Sequence, residues 1–245
     1  MGWQSAARSE TGKVRAHNED ALLASSSQGL WAIADGMGGH ANGALASRCI
    51  IEGLSALRLD GALEQRIAQV RGLLSELNRR LARDLTLAAD QQDSIMGSTV
   101  VVLLIDDARA ACLWAGDSRC YLWREQRLFQ LTRDHSLAQQ LMDDHRLSAE
   151  QAARHPASQA LTRAVGAAAA LELDCVELEL RPGDRFLLCS DGIHQTSPAA
   201  VLGAALEAST PGRAVDLLVE FVMRGPARDN LSAVVVRQMP SGGRS

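Results

Sequence analysis

Three aspartates stand out because glycine, serine or asparagine residues flank each of them and because they are far apart along the chain. Asp35 opens the stretch DGMGG, Asp191 lies in the tripeptide SDG, and Asp229 precedes an asparagine. Each lies beside an apolar run typical of a strand, so folding could bring the three carboxylates to one edge of a sheet. Unpaired carboxylates about 4 Å apart repel by roughly 4 kcal/mol per pair at an effective dielectric of about 20, and divalent cations relieve this repulsion. The pattern therefore predicts a metal site.

A second candidate segment, RAHNED, spans residues 15–20. Arg15 could hold a phosphate oxygen in fork geometry, while Glu19 and Asp20 could hold a metal ion or metal-bound water. An arginine and two acids in a loop more commonly form a solvated turn. The segment by itself leaves both interpretations open.

The glycines that follow Asp35 also have two interpretations. Gly36 and its glycine neighbours allow the backbone to approach a ligand closely, and a backbone carbonyl here could face a cation. A flexible turn before a helix is one alternative and a nucleotide-binding loop is another. The glycine spacing fits neither the P-loop nor the dinucleotide-binding fingerprint.

Two further polar segments have simple structural explanations when each is taken alone. Asp117, in GDSR, lies between two predicted strands, where a turn aspartate usually caps its own turn. The tripeptide DHS at 134–136 contains the residue types of a hydrolase triad, but side chains on consecutive residues diverge and cannot align as one. We interpret it as a helix start, and His155, before a proline, as a helix C-terminal residue.

The elements that must position these residues are strands and helices in irregular order. Apolar stripes at three- and four-residue spacing predict helices over 41–59 and 62–89, and weaker patterns predict helices over 198–208 and 211–224. A capping-box pattern at Ser148 indicates a short helix within a helical excursion over 136–165. Predicted strands cover 29–34, leading into an Asp35 loop, then 99–105, 110–115, 119–123, 127–131, 176–180, 186–189 and 231–236. Because strands are not regularly separated by helices, we expect an α+β fold with helix-covered sheets.

The composition limits the possible classes of protein. A length of 245 residues with 47% hydrophobic residues favours a single domain over 1–240, followed by a disordered tail over 241–245. The net charge of −4 argues against nucleic-acid binding. We find neither a bilayer-spanning segment nor a signal peptide, so we expect a cytoplasmic monomer that does not bind membranes. The five cysteines lack metal or redox spacing and are expected to be buried thiols.

The order and spacing of the motifs together resemble a known family. The motifs are RxxNED from Arg15, DGMGGH from Asp35, GST at 97–99, GDSR around Asp117, LTxDHS at 131–136, HP with LTR at 155–163, SDG around Asp191, and DN from Asp229. This series resembles the bacterial PP2C-type (PPM) metal-dependent serine/threonine protein phosphatases over residues 9–237. The resemblance implies an antiparallel β-sandwich with helices on both outer faces, which is a four-layer αββα arrangement.

The resemblance also implies roles for individual residues. Arg15 would hold the phosphoryl oxygens, and two Mn²⁺ or Mg²⁺ ions would activate the water that attacks phosphorus in line. The implied metal site comprises Asp35 as the bridge between both ions, the carbonyl of Gly36, Asp191 and Asp229 on one ion, Glu19 and Asp20 acting mostly through water, and Asp117 with Asp191 at a weak third ion. Oxygen-only ligands favour Mg²⁺ or Mn²⁺ over zinc independently of any family.

One departure from the family pattern leaves the general acid open. Met37 stands where many eukaryotic relatives have a histidine that is proposed to protonate the leaving group, so His40 and a metal-bound water are the remaining candidates. The expected partners are phosphorylated proteins, with a bacterial Ser/Thr kinase as functional antagonist, and a kinase that controls type VI secretion is one such setting. The alternatives are a pseudophosphatase that binds phosphoproteins without turnover and a phosphohydrolase of small molecules.

Overall fold

The chain forms two antiparallel β-sheets in the computed structural model, which describes residues 2–38, 41–87, 97–145 and 147–239. The strands of the first sheet, in spatial order, are β1 (Trp3–Glu10), β11 (Leu231–Gln238), β10 (Arg185–Cys189), β7 (Arg119–Arg124) and β8 (Arg127–Gln130). Those of the second sheet are β2 (Asp20–Ser25), β3 (Leu30–Met37), β5 (Val100–Asp106), β6 (Arg109–Ala115) and β9 (Asp174–Glu179), and β4 (Gly97–Ser98) pairs with β3.

Helices cover the outer face of each sheet. The helices are α1 (Ala41–Ala56), α2 (Leu63–Leu87), α3 (Leu137–His145), α4 (Ala149–Ala153), α5 (Asp191–His194), α6 (Ala199–Leu206) and α7 (Pro211–Arg224). Helices α1 and α2 pack on the second sheet, and α6 and α7 pack on the first.

The alternation of side chains along each strand produces three apolar layers. Trp31, Phe186 and Val234 pack between the two sheets, whereas Leu30 packs against α1 and α2 and Leu187 packs against α6 and α7. Strands with both faces buried have nearly continuous apolar sequences, as β5 does. The predicted sandwich with helices on both outer faces is therefore confirmed.

The predicted helical excursion contains α3 and α4. The backbone N–H of Gln151 donates to Ser148 Oγ at 3.2 Å, and the Ser148 N–H donates to Gln151 Oε1 at 2.9 Å, which confirms the capping box. Ser136 and Leu161 form an isolated bridge. This bridge holds the beginning of the excursion next to a residue near its end.

Two strands were not predicted, and one expectation about a strand was wrong. The sequence pattern did not predict β1 or β2, because neither segment has a clean apolar alternation, and their places come from pairing with β11 and β3. Asp35 was expected in a loop after residue 34, but β3 continues to Met37. It continues because Asp35 pairs with Asp20 on β2 and Gly36 pairs with Ser98 on β4.

Several expectations about the whole chain have different outcomes. Cys112, Cys120 and Cys189 are buried free thiols as predicted, while Cys49 and Cys175 are partly exposed. Among the described helices, none is long and apolar enough to cross a membrane. The single domain over 1–240 stays a prediction, and the tail at 241–245 lies outside the described residues.

Candidate metal centre

A cavity of about 690 Å³ opens at the end of the sandwich where segments of both sheets meet. Asp35 lies on β3, Asp117 lies in the turn between β6 and β7, and Asp191 begins α5. Asp229 lies just before β11. The residues of the predicted site that line this cavity are Arg15, Glu19, Asp35, Gly36, Asp117, Asp191 and Asp229.

Backbone packing around Gly36 explains how Asp35 is positioned. The Gly36 N–H donates to the Glu19 carbonyl at 3.1 Å, and the Asp35 N–H donates to Thr99 Oγ1 at 3.1 Å. A Cβ at position 36 would lie 2.1 Å from the Gly43 carbonyl oxygen and 2.8 Å from that of Glu19. Only glycine therefore lets β3 and the start of α1 approach this closely.

Asn230 joins the loop between β1 and β2 to the start of β11. Its side-chain oxygen accepts from the Glu19 N–H at 2.9 Å, and its amide nitrogen donates to the carbonyls of Thr11 and His17 at 2.9 and 3.0 Å. These bonds set the path of the segment that carries Arg15 and Glu19. In the sequence, Asn230 is distinguished only by its position directly after the candidate ligand Asp229, so its hydrogen bonds could not be predicted.

The turn that carries Asp117 is fixed from several sides. Gly116 has φ of +110°, and a Cβ there would lie 2.6 Å from the Thr99 side chain. The Gly116 N–H donates to His135 Nδ1 at 3.2 Å, and Ser118 Oγ and Thr99 Oγ1 are 2.8 Å apart. The turn aspartate is therefore part of the cavity wall rather than a simple surface cap.

Asp20 has a different position from the other predicted acids. Its Oδ2 accepts a hydrogen bond from Ser190 Oγ at 2.8 Å, and its Oδ1 is buried with no hydrogen-bond partner among the described residues. Asp20 does not line the cavity. An unpaired buried carboxylate oxygen is costly unless a cation or a proton compensates it. Asp20 is therefore not part of the cavity wall, and its free oxygen needs a proton or a cation.

The electrostatics of the site disfavour charged carboxylates. Burial, with smaller contributions from Asp20 and Asp191, raises the pKa of Asp35 well above its ordinary value. Burial is also the main reason that the pKa rises to about 7 for Asp20 and Asp117 and to about 6 for Asp191. Such a cluster binds either protons or cations near neutral pH.

The donor set tests whether a metal fits here. Among the described residues, no three His, Cys, Asp or Glu side chains are positioned to hold one metal ion together. The cavity wall does offer several carboxylates and the backbone of Gly36, all oxygen donors. Mg²⁺ and Mn²⁺ prefer oxygen ligands, and Mg²⁺ usually keeps several waters, so a loose oxygen-only wall fits these ions better than zinc.

Arg15 lies at the cavity rim and forms an ion pair with one of the acids. Its Nη2 is 2.7 Å from Asp229 Oδ2, and about half of its side chain is exposed. The guanidinium of Arg15 thus lies at the cavity and pairs with Asp229, and its contact with a phosphoryl group stays a prediction. His40, one candidate for the general acid, lies outside the described residues, and Met37 lines the cavity with an apolar side chain.

Two described histidines outside this cavity, His135 and His155, have structural partners. His135 Nε2 contacts Asp174 Oδ2 at 3.2 Å, so residues 134–136 do not form a triad, as expected. The side chain of Ser136 instead accepts from the Gln139 N–H at the start of α3. His155 Nδ1 accepts from the Ala157 N–H just after α4.

Comparison with known proteins identifies the family to which this fold and cavity belong. The family model for Protein phosphatase 2C matches residues 10–233. The chain belongs to the protein phosphatase 2C family. PP2C-type phosphatases are metal-dependent, which agrees with the oxygen donors in the cavity.

Individual PP2C relatives show how far the similarity extends. Serine/threonine protein phosphatase PstP of Mycobacterium tuberculosis is 35% identical over 230 residues, which are 94% of this chain and 44% of PstP. The chain thus spans less than half the length of this curated relative. The solved structure of PppA, described as a key regulatory component of T6SS in Pseudomonas aeruginosa, is 39% identical with a TM-score of 0.90, covering 98% of this chain and 99% of PppA.

The catalytic domain of PstP has also been solved in complex with two manganese ions. It is 34% identical to this chain, with a TM-score of 0.83, and the match covers 96% of this chain and 97% of that one. These matches confirm the family and the sandwich fold expected from the sequence.

Proposed function

We propose that this chain is a metal-dependent phosphatase that removes phosphate from phosphoserine and phosphothreonine in proteins. The observation that carries the proposal is one cavity whose wall combines Asp35, Asp117, Asp191 and Asp229 with the guanidinium of Arg15. The acids suit divalent cations and the guanidinium suits a phosphoryl group. Membership in the PP2C family supports the same reaction.

The proposed roles follow from where each side chain lies. Asp35, Asp191, Asp229, Glu19 and the Gly36 carbonyl would hold two Mn²⁺ or Mg²⁺ ions, directly or through water, with Asp20 behind them and Asp117 at a weaker third ion. When bound, these ions supply a water molecule of lowered pKa that can attack phosphorus in line.

Arg15 would bind the substrate rather than the ions. Its half-exposed guanidinium at the rim can reach phosphoryl oxygens that enter the cavity. Met37 cannot donate a proton, so it is not the general acid. The proton for the leaving alkoxide must come from another group.

The experiment compares hydrolysis of a phosphothreonine peptide, p-nitrophenyl phosphate and a nucleotide by the purified chain. We expect no turnover after EDTA treatment and restored turnover of the first two with Mn²⁺. Full turnover in EDTA with verified absence of metal contradicts the metal-dependent reaction. Preferential turnover of the nucleotide favours a small-molecule phosphohydrolase, and peptide binding without turnover at saturating Mn²⁺ favours a pseudophosphatase. The pseudophosphatase is disfavoured in advance, since Asp35, Asp191 and Asp229 are all present.

The biological setting is a proposal of the same kind. The likeness to PppA, a regulatory component of T6SS, supports a role in the regulation of a type VI secretion system, and a Ser/Thr kinase as functional antagonist remains a prediction from the sequence resemblance. The cytoplasmic location, the monomeric state and the absence of nucleic-acid binding remain predictions from the sequence. Co-purification with a kinase encoded beside this chain, and dephosphorylation of that kinase's substrate, would test the setting.

A further inference from the structure

His194 connects two parts of the metal centre that are far apart in the sequence. It is the last residue of α5, the short helix that Asp191 begins, and only 8% of its surface is exposed. Its Nε2 lies 3.0 Å from the backbone carbonyl oxygen of Asp117, in the turn between β6 and β7. One hydrogen bond therefore ties α5 to the Asp117 turn.

The chemistry of this hydrogen bond fixes the state of the ring. A carbonyl oxygen can only accept, so His194 must carry a proton on Nε2 and donate it. Burial, together with the charge of Arg119, lowers the pKa of His194 to about 4, so the ring is neutral near pH 7. His194 thus acts as a neutral donor with a defined tautomer.

The geometry of α5 explains why this bond matters for the cavity. Asp191 and His194 are three residues apart, and residues at this spacing lie on the same face of a helix. Asp191 lines the cavity, and so does Asp117.

We propose that His194 is a positioning residue that sets the separation between the Asp117 and Asp191 carboxylates, and thereby the affinity for a cation that these two share. The inference rests on the proposed function, because it requires that the cavity bind divalent cations. The other described contacts of the turn involve Gly116 with His135 and Ser118 with Thr99. The bond from His194 is made to Asp117 itself.

The test measures Mn²⁺ binding to the metal-free full chain by isothermal titration calorimetry. Asp117→Asn identifies the class of bound Mn²⁺ that depends on Asp117. His194→Leu should raise the dissociation constant of this class by about tenfold, because the buried carbonyl loses its donor. The dissociation constants of the other bound Mn²⁺ ions should stay within about twofold of the wild-type values. The lost hydrogen bond lies outside the ligand sets of those ions.

Two matched variants separate the hydrogen bond from general packing. His194→Gln keeps an N–H donor near the position of Nε2 and should restore binding to within about threefold of wild type. Ser197→Ala changes a buried side chain three residues further on, whose hydroxyl has no hydrogen-bond partner in the described part of the chain, and this variant should bind Mn²⁺ like wild type. If the leucine variant does not fold, His194→Asn replaces it, because its shorter amide cannot span the same distance.

A double variant decides between positioning and mere stability. In the Asp117→Asn background, His194→Leu should change Mn²⁺ binding no further, because the carboxylate that His194 positions has already been removed. Additive effects, an equal loss of all bound Mn²⁺, or a wild-type chain with no Mn²⁺ class sensitive to Asp117→Asn would each overturn the role of His194. A wild-type chain that binds no Mn²⁺ at all would overturn the proposed function itself.

Discussion

Asp35 illustrates how the site works at the scale of single residues. It keeps some accessible surface because it lines the cavity, yet the protein around it and the nearby acids raise its pKa well above the ordinary value. A neutral carboxyl is a poor metal ligand, so cation binding must displace protons from this cluster. Asp35 therefore destabilises the metal-free fold, and it contributes to function only when a cation is bound.

Asp35→Asn tests this conflict between stability and function. We expect kcat for p-nitrophenyl phosphate at saturating Mn²⁺ to fall more than tenfold, which corresponds to about 1.4 kcal/mol or more in the barrier. The melting temperature of the metal-free variant should not fall, because the change removes a buried ionisable group. Asp60→Asn, in an exposed loop, is the control. Retention of more than a tenth of kcat would show that Asp35 is not the bridging ligand.

Arg15→Ala tests the substrate-binding role of the rim arginine. A charge-assisted hydrogen bond contributes about 1.5 to 3 kcal/mol, so kcat/KM should fall by about ten- to a hundredfold. Mn²⁺ affinity should not weaken, because Asp229 loses an ion pair that competes for the same carboxylate. Arg15→Lys keeps the charge without the fork and should recover only part of the activity. Unchanged kcat/KM and unchanged inhibition by phosphate would exclude Arg15 from the site.

At the scale of elements, helix α2 holds the segment that follows the helical excursion. Asn78 on α2 is almost fully buried. Its Oδ1 accepts from the Gly166 N–H at 2.7 Å, and its Nδ2 donates to the Ala168 carbonyl at 2.9 Å. Just before this segment, Val165 forms a bridge with Ser98 beside the cavity strands. The long helix thus fixes where the excursion rejoins the sandwich.

Asn78→Ala should therefore destabilise the fold. Removing the side chain leaves the buried Gly166 N–H without its partner and removes the bond to the exposed Ala168 residue, which should lower the free energy of unfolding by about 1 to 3 kcal/mol. Urea denaturation measures this change. Arg80→Ala, exposed on the same helix, should change it by less than about 0.5 kcal/mol. Similar values for the two variants would show that the segment does not depend on this side chain.

At the scale of the whole molecule, the acidic cluster links folding to pH. The pKa is about 7 for Asp20 and Asp117 and about 6 for Asp191, against an ordinary value of 3.8. Between these values the folded chain holds protons that the unfolded chain has released. The free energy of unfolding of the metal-free protein should therefore fall as pH rises from about 4 to about 7.

Thermal unfolding in EDTA checks this dependence. The melting temperature should be higher near pH 5 than near pH 8, and Asp117→Asn should flatten the trend because it removes one of the protonated groups. Added Mn²⁺ should raise the melting temperature more near pH 8, where protons compete less for the carboxylates. A melting temperature that rises with pH in EDTA would contradict the assignment of these groups.

The sequence by itself determined the parts of the protein that depend on local periodicity and on donor chemistry. The apolar stripe of α2 and the apolar runs of β5 and β6 predicted these elements, and the glycine-flanked aspartates predicted an oxygen-rich site. An apolar stripe indicates which face of a helix will be buried. A carboxylate oxygen prefers the same metal ions in any fold. These properties do not require knowledge of distant neighbours.

The tertiary structure alone decided which residues support that site. The Glu19 N–H bonds the side chain of Asn230 across 211 positions, and His194 reaches the Asp117 carbonyl across 77. The edge strand β1 exists as a strand because β11 pairs with it, although its own residues show no clear alternation. Such partners follow from the distances that packing sets between remote segments, and no local pattern in one sequence encodes those distances.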